Sequence, residues 1–467
     1  MFDDPQPSGG ASGNAGGADS EWDGELAPAT QIATGEASLL GVTRDGWAVF
    51  RAQEMLMAAA VETDDAVKAV SARPGSVLIR GNVVFNWSDV DWTKGVGDLS
   101  VWSAEGGAHE VGETPYVESL VAASASGSSI VYTANTTETT TDLMITSNDF
   151  SAPEVLIPAV GLGTEETCGA NMGFVGERLF VGWCEEGSRA ALIKRFELVD
   201  GAWETQTIAT NALPAWSSDQ SGERVFYQSS DYAGYVAEGD EATMIDASVS
   251  TGQITPDGAA VLYTVGDQLR RSAFPEVNPV PIVTTGYKQP VGFSPGFDLA
   301  LYSTTVTYEE GTRRDLLLVS TDGLNTDPVE LVSEPVAALG RSNMTRDGQF
   351  VFYLTDMSAT GGTLHIVAKD GSEVLSLPGV VEVVAAREST LVFTDNSSDP
   401  EVYPIVADLK TINLAEETEP RIVEEEILDG KNFHLNADGT KVTYVRSGVE
   451  RDPEATDSKG LFMREIK

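Results

Sequence analysis

Gly292-Phe293-Ser294-Pro295-Gly296 has the Gly-x-Ser-x-Gly spacing that places a nucleophilic serine on a strained elbow between a strand and a helix. That chemistry needs a helix behind the serine and an acid and a histidine later in the chain. Here the segment runs instead into another strand-like stretch, Leu299-Ala300-Leu301-Tyr302, and reads as a turn. The three histidines, His109, His365 and His434, are too few and too scattered to argue for a metal centre or a general base. His365 stands among apolar residues, as a core histidine would, and His434 lies just before a turn. No catalytic set emerges, and no cofactor is expected.

Carboxylates are the remaining candidates. Asp89, Asp91 and Asp98 fall between two predicted strands, Asp395 and Asp399 occupy the equivalent place in a later segment, and Asp452 and Asp457 do so near the end. Loops of this kind emerging on one face could bring such oxygens together, and hard oxygen ligands suit calcium. Asp89, Asp91 and Asp98 are therefore the candidate calcium ligands. Ser88-Asp89-Val90-Asp91-Trp92 is no EF-hand loop, because the required Gly and terminal Glu are missing. The competing reading is solvated loop charge. The aromatic residues Trp87, Trp92, Tyr232, Tyr235, Tyr308 and Tyr403 lie in the same kind of segment. They would form a surface for a protein or glycan, or else pack between neighbouring units.

The only two cysteines, Cys168 and Cys184, each stand eight residues from Gly176. If Val175-Gly176-Glu177 turns between antiparallel strands, the sulfurs face each other within disulfide range. A structural disulfide implies an oxidising compartment. With no further Cys or His nearby, a metal site is the poorer reading.

The formal charge is −43, with 72 acidic against 29 basic residues. Such a surface repels phosphates and anionic lipid headgroups, so nucleic acid is not an expected partner. A basic protein face or cations remain compatible, as does plain solubility in an extracellular or salty medium. No stretch is long and apolar enough for a membrane span, and Met1-Phe2-Asp3-Asp4 is not a signal peptide. Residues 1–21, rich in Gly, Ser and Ala, read as a flexible low-complexity tether.

The elements that must position these residues are repeated. Ten times an apolar strand ends in Tyr or Phe, near Phe50, Phe85, Tyr132, Phe180, Tyr227, Tyr263, Tyr302, Tyr353, Phe393 and Tyr444. A tight turn usually precedes it, as in Thr43-Arg44-Asp45-Gly46, Thr255-Pro256-Asp257-Gly258, Thr345-Arg346-Asp347-Gly348 and Asn436-Ala437-Asp438-Gly439. The second unit has Arg80-Gly81-Asn82 in that place, and the ninth has Arg387-Glu388-Ser389. A third strand follows, such as Leu99-Ser100-Val101-Trp102 or Leu364-His365-Ile366-Val367, and then a more polar fourth, such as Val329-Glu330-Leu331-Val332. A repeat of about forty residues means one supersecondary unit that buries its faces only against its neighbours. The last unit stops after its third strand, and Thr30-Gln31-Ile32-Ala33-Thr34 echoes a fourth strand, Thr205–Thr210. An N-terminal strand completing the final unit would close a ring and remove two sheet edges.

Ser/Thr-x-Asp-Gly followed by an apolar run and Tyr resembles the repeat of TolB-like β-propellers over nearly all of residues 30–467. The resemblance implies an all-β propeller of four-stranded antiparallel blades, spanning 22–467, with about ten units and eight to ten blades. Two smaller propellers are the alternative. It implies little about activity, because such propellers serve as binding bodies, accessory domains and occasionally enzymes. The first expectation is an exported, monomeric, non-enzymatic protein that binds a protein or other ligand through its loop faces, in the periplasm, tethered to the outer membrane or outside the cell. Its Gly/Ser-rich start resembles the spacer of a bacterial lipoprotein. The second expectation is a lyase or hydrolase acting on a polysaccharide or peptide in the central funnel.

Overall fold

The computed structural model describes residues 29–34, 37–52, 54–60, 67–116, 120–137, 140–151, 153–161, 170–184, 190–287, 289–308, 311–322, 327–335, 341–358, 361–395, 406–428, 433–436, 438–446 and 460–466. Among them every regular element is a strand, and all pairings are antiparallel. The strands form ten successive four-stranded units. Unit 1 consists of Ala37–Val42, Trp47–Ala52, Met55–Ala60 and Lys68–Ser71, paired in sequence order. Each of the ten predicted aromatic residues lies on the second strand of its unit, from Phe50 on Trp47–Ala52 to Tyr444 on Lys441–Arg446. Those second strands are the most deeply buried, as their near-continuous apolar sequence requires.

The turn between first and second strands explains the recurring phrase. In unit 6, Thr255 Oγ1 accepts the Ala260 N–H at 2.9 Å and donates to Asp257 Oδ1 at 2.6 Å. Thr345 repeats this with Phe350 (3.1 Å) and Asp347 (2.6 Å), and Thr43 accepts from Trp47 N–H at 2.9 Å. Asn436 Oδ1 does the same for Lys441 N–H at 2.9 Å. The hydroxyl-bearing members are buried and satisfied by the turn they cap, which is why a small polar residue recurs at an otherwise apolar junction. Among the described residues each of the ten turns holds one residue at positive φ. Eight are glycines, Gly258 (+70°) among them, and two are not: Phe297 (+57°) and Glu388 (+48°).

Two strands are longer than the unit scheme predicts. Ala202–Ser218 ends unit 4 and begins unit 5, and Glu373–Ala385 ends unit 8 and begins unit 9. Each changes partner at a register shift, between Ala212 and Trp216 in one and between Val380 and Glu382 in the other. Beside these shifts lie Pro214 and Gly379, the latter at φ +79°. The chain bends there without a separate loop.

The N-terminal strand Thr30–Thr34 pairs with Gly460–Glu465, the third strand of unit 10, with Thr30 opposite Met463 and Thr34 opposite Gly460. It supplies the missing fourth strand, as expected. Apolar clusters of the described residues then join each unit to the next all the way round. Leu99 and Val101 of unit 2 meet Ile130 and Tyr132 of unit 3, and Leu354 and Leu364 of unit 8 meet Leu391 and Phe393 of unit 9. Leu39 and Phe50 of unit 1 meet Val445, Leu461 and Met463 of unit 10. The core is thus a circuit of inter-unit seams rather than one central mass.

Candidate binding face

Two kinds of connection share one face: the loops between second and third strands, and the links from one unit's fourth strand to the next unit's first. Arg73, in a link, pairs with Asp89 of the unit 2 hairpin at 3.3 Å. In unit 5, Tyr232 O of the hairpin accepts Val249 N–H of the next link at 2.7 Å. In unit 6, Asp267 O accepts Tyr287 N–H at 2.9 Å.

The unit 2 hairpin is the best-defined feature of this face. Its strands, Val83–Asp91 and Val96–Ser103, run past the first strand of the unit, while the fourth, Gly107–Pro115, accompanies them to Val96, and a register shift lies between Ser88 and Asp91. Asn86 is fully buried and braces the approach, accepting Gly75 N–H at 2.8 Å and donating to Arg73 O at 3.1 Å. Trp87 is 1% exposed and donates its indole N–H to Thr114 Oγ1 at 3.2 Å. Tyr116 packs edge-on against both Trp87 (5.3 Å) and Trp92 (5.2 Å), with its hydroxyl 2.8 Å from Ser76 Oγ and its N–H 2.8 Å from Gly95 O. Trp92 closes this stack at the hairpin tip and leaves 73% of its surface in solvent. Tyr232, 58% exposed at φ +67°, is the comparable aromatic on unit 5.

The six aromatic residues expected on loops therefore divide. Trp92 and Tyr232 are exposed. Trp87 is a strand residue in the seam between units 2 and 3, and Tyr235 is a strand residue stacked on Tyr227 at 5.4 Å. Tyr308 ends a second strand, and Tyr403 lies outside the described residues.

Asp89, Asp91 and Asp98 are strand residues too, because the hairpin extends further than the sequence pattern indicates. Asp89 sits at φ +50° beside Arg73. Asp91 pairs with Lys94 at 3.2 Å and accepts the Thr93 N–H at 3.0 Å. Its bond with Lys94, then that N–H, holds its carboxyl below the usual range. Asp98 is on the opposite strand, across from Ser88. Among the described residues no group of three or more His, Cys, Asp or Glu side chains is gathered as a metal site. Asp395 pairs with Lys410 at 2.5 Å, while Asp399, Asp452 and Asp457 lie outside the described residues.

The histidines do not converge. His109, on a fourth strand, stacks on Phe150 at 4.8 Å. His365, on a third strand, stacks on Tyr353 at 5.1 Å and bonds Thr355 Oγ1 through Nε2 at 3.0 Å. His434 is on a first strand, where burial pushes its imidazole below the ordinary value. Ser294 is a turn cap: its Oγ accepts Leu299 N–H at 2.9 Å and donates to Asp298. Cys184 is fully buried at the end of a second strand, beyond the two-residue turn Gly176-Glu177, and is not a free thiol. Cys168 lies outside the described residues.

Ten four-stranded antiparallel units, packed in a circuit and closed by an N-terminal strand, define a β-propeller, the class expected from the repeat. No family model matches the chain, and no curated protein matches it either. Among solved structures it is similar to a eukaryotic initiation factor at 11% identity, over 76% of this chain and 89% of that one, with a TM-score of 0.48. The tricorn protease is matched at 10% identity over 88% of this chain and 51% of that one (TM-score 0.26). TolB from Acinetobacter baumannii is matched at 14% identity over 63% and 79% (TM-score 0.30). Among the described residues no helix is long and apolar enough to cross a membrane.

Proposed function

We propose that this protein is an exported, non-enzymatic β-propeller that binds a protein partner through the face bearing Trp92 and Tyr232. The observation that carries this reading is Trp92, an exposed indole held in place by Tyr116 and, behind it, the buried Trp87. A rigid aromatic anchor contributes large contact area at small entropic cost, and tryptophan is enriched among residues that dominate binding energy. Around it, Asp89, Asp91, Arg73 and Lys94 make a polar rim that suits a partner of mixed charge.

The rest of the reading rests on the sequence. The TolB-like phrase and the acidity favour a single ten-bladed ring behind a 1–21 tether, working as a monomer in the periplasm, on the outer membrane or outside the cell. A Cys168–Cys184 disulfide would suit that compartment.

The test is site-specific photocrosslinking. A photoreactive phenylalanine analogue replaces Trp92 in one variant and Asp370, in the turn between third and fourth strands of unit 8, in another. In extract of the cells that natively produce the protein, position 92 should yield a discrete adduct that position 370 does not. Excess unlabelled protein should compete it away, and unlabelled Trp92→Ala protein should not. The same adducts from both positions, or none from 92, would overturn the reading.

A further inference from the structure

A separate cavity of about 370 Å³ opens between units 3 and 4, lined by Leu156, Ile157, Pro158, Ala159, Trp183, Lys194, Phe196 and Thr205. The fourth strand of unit 3 is irregular beside it. Register shifts on either side of Leu143 leave Pro158 and Ala159, and then Leu156, without opposite partners, and Ala159 sits at φ +53° with its N–H on Asp142 Oδ1 at 2.9 Å. The strand bulges at Pro158 and Ala159. The floor is buried and apolar: Ile157, Trp183 and Phe196 all belong to the cluster joining the two units. The mouth is formed by exposed Pro158, Ala159 and Thr205.

One charge enters this apolar space. Lys194 Nζ lies 5.5 Å from the centroid of the Trp183 ring. Its surroundings make that unusual. Arg195, the next residue, pairs with Glu223 at 3.4 Å, and Arg178 pairs with Glu223 at 2.7 Å and Glu197 at 3.2 Å. In a chain with 72 acidic residues, Lys194 has no carboxylate within ion-pair distance among the described residues. An ammonium held against an aromatic face at the edge of an open pocket with an apolar floor is placed to meet an anion.

We propose that this cavity is a small-molecule site for a monoanion with an aromatic or aliphatic body, its acid group on Lys194 and its body on Trp183, Ile157 and Phe196. The volume is that of a small ligand pocket, with an apolar floor and the polar groups of Lys194 and Thr205 to fix orientation. The site is remote in sequence from the Trp92 hairpin and independent of the proposed protein-binding face.

Calorimetric titration of the whole protein with 4-phenylbutyrate, and with 4-phenylbutan-1-ol as its neutral counterpart, tests this. Phenylbutyrate should bind saturably at a single site, and the alcohol about tenfold more weakly or worse, the loss expected for one charge-assisted contact. Lys194→Met, which keeps the apolar stem, should lose about tenfold for the acid alone. Lys194→Arg should retain binding. Thr205→Trp, at the exposed mouth, should abolish binding of both compounds without changing the melting temperature, and reads the site even if Lys194→Met fails to fold. Equal affinity for acid and alcohol, undiminished binding by Thr205→Trp, or no saturable binding of the acid would overturn the proposal.

Discussion

The phenol of Tyr263 donates to Asp246 Oδ2 at 3.1 Å, joining the second strand of unit 6 to the fourth strand of unit 5. The same reach recurs where Tyr353 donates to Leu331 O at 3.2 Å and Tyr444 donates to Glu424. The terminal aromatic of the repeat is therefore more than core filling. In three of the six units where it is tyrosine, the ring packs in the seam and the hydroxyl ties its unit to the preceding one. Arg270 completes one such group, 3.1 Å from Asp246, and Arg446 and Arg464 flank Glu424 in another.

Tyr263→Phe should keep the ring packing and remove only the tie. Asp246 would retain Arg270, so the loss should be about 1 kcal/mol, the net worth of a typical hydrogen bond. Chemical denaturation would show a lower midpoint with an unchanged slope. No change in midpoint would mean that water replaces the hydroxyl at no cost.

The buried phenols also set an alkaline limit. Burial pushes Tyr302 up to about 12, and burial raises Tyr263, Tyr287 and Tyr444 as well. Unfolded tyrosines ionise near 10. A folded-state value above the unfolded one gives stability that is intact below about pH 10 and lost as pH rises through about 12. Denaturation midpoints should accordingly be flat from neutrality to about pH 9.5 and fall steeply above pH 10, with the phenolate absorbance appearing only as the protein unfolds. Phenolate absorbance rising to completion near pH 10 in the folded protein would contradict the burial of these rings.

Glu388 stands where eight of the ten units place glycine, at φ +48°. A side chain in the left-handed region costs about 1 kcal/mol or more. Glu388→Gly should release that strain, offset partly by the greater freedom of glycine in the unfolded chain, for a net gain of up to about 1 kcal/mol. A stability loss would show that the Glu388 side chain makes a compensating contact. Phe297 offers a poorer version of the test, because its ring stacks on Phe293 at 4.9 Å and Phe297→Gly would forfeit that packing.

Sequence made the second strands legible because burial on both faces forces a continuous apolar run, and the aromatic marks its end. The caps were legible because a small polar residue before Asp-Gly has one local use. Phe297 was not: Gly296 invites the glycine role, yet Ser294-Pro295-Gly296-Phe297 aligns with Thr255-Pro256-Asp257-Gly258 and puts Phe297 at the left-handed position. Nor was the length of the unit 2 hairpin, so Trp87 read as a loop aromatic when it is seam packing. The cavity at Lys194 lies between two units beside a bulge at Pro158 and Ala159, and both packing between units and register between strands are properties that no single strand's pattern encodes.

We expect Cys184 to resist thiol labelling in the native protein until a reductant is present, together with Cys168, and reduction to lower the melting temperature. A closed loop of this length contributes about 3 kcal/mol. Labelling of two thiols without reductant would remove both the disulfide and its argument for an oxidising compartment.

Closure is the point at which the architecture is most exposed to test. Ile32 and Ala33 pack into the cluster of Leu39, Phe50, Val445 and Leu461, so the N-terminal strand both covers the edge of Gly460–Glu465 and fills the seam between the first and last units. Removing residues 1–34 should uncover that edge, lower the melting temperature by several degrees and promote self-association, since an unpaired strand edge is a template for another chain. Removing residues 1–20, which carry no large apolar side chain after Phe2, should leave the melting temperature nearly unchanged. Adding a peptide of sequence Ala-Thr-Gln-Ile-Ala-Thr-Gly, which spans the missing strand, should partly restore the shorter chain by pairing with Leu461, Phe462 and Met463. If the two truncations melt alike and associate no differently, the ring does not depend on its first strand, and the seam between Phe50 and Leu461 must hold by side-chain packing alone.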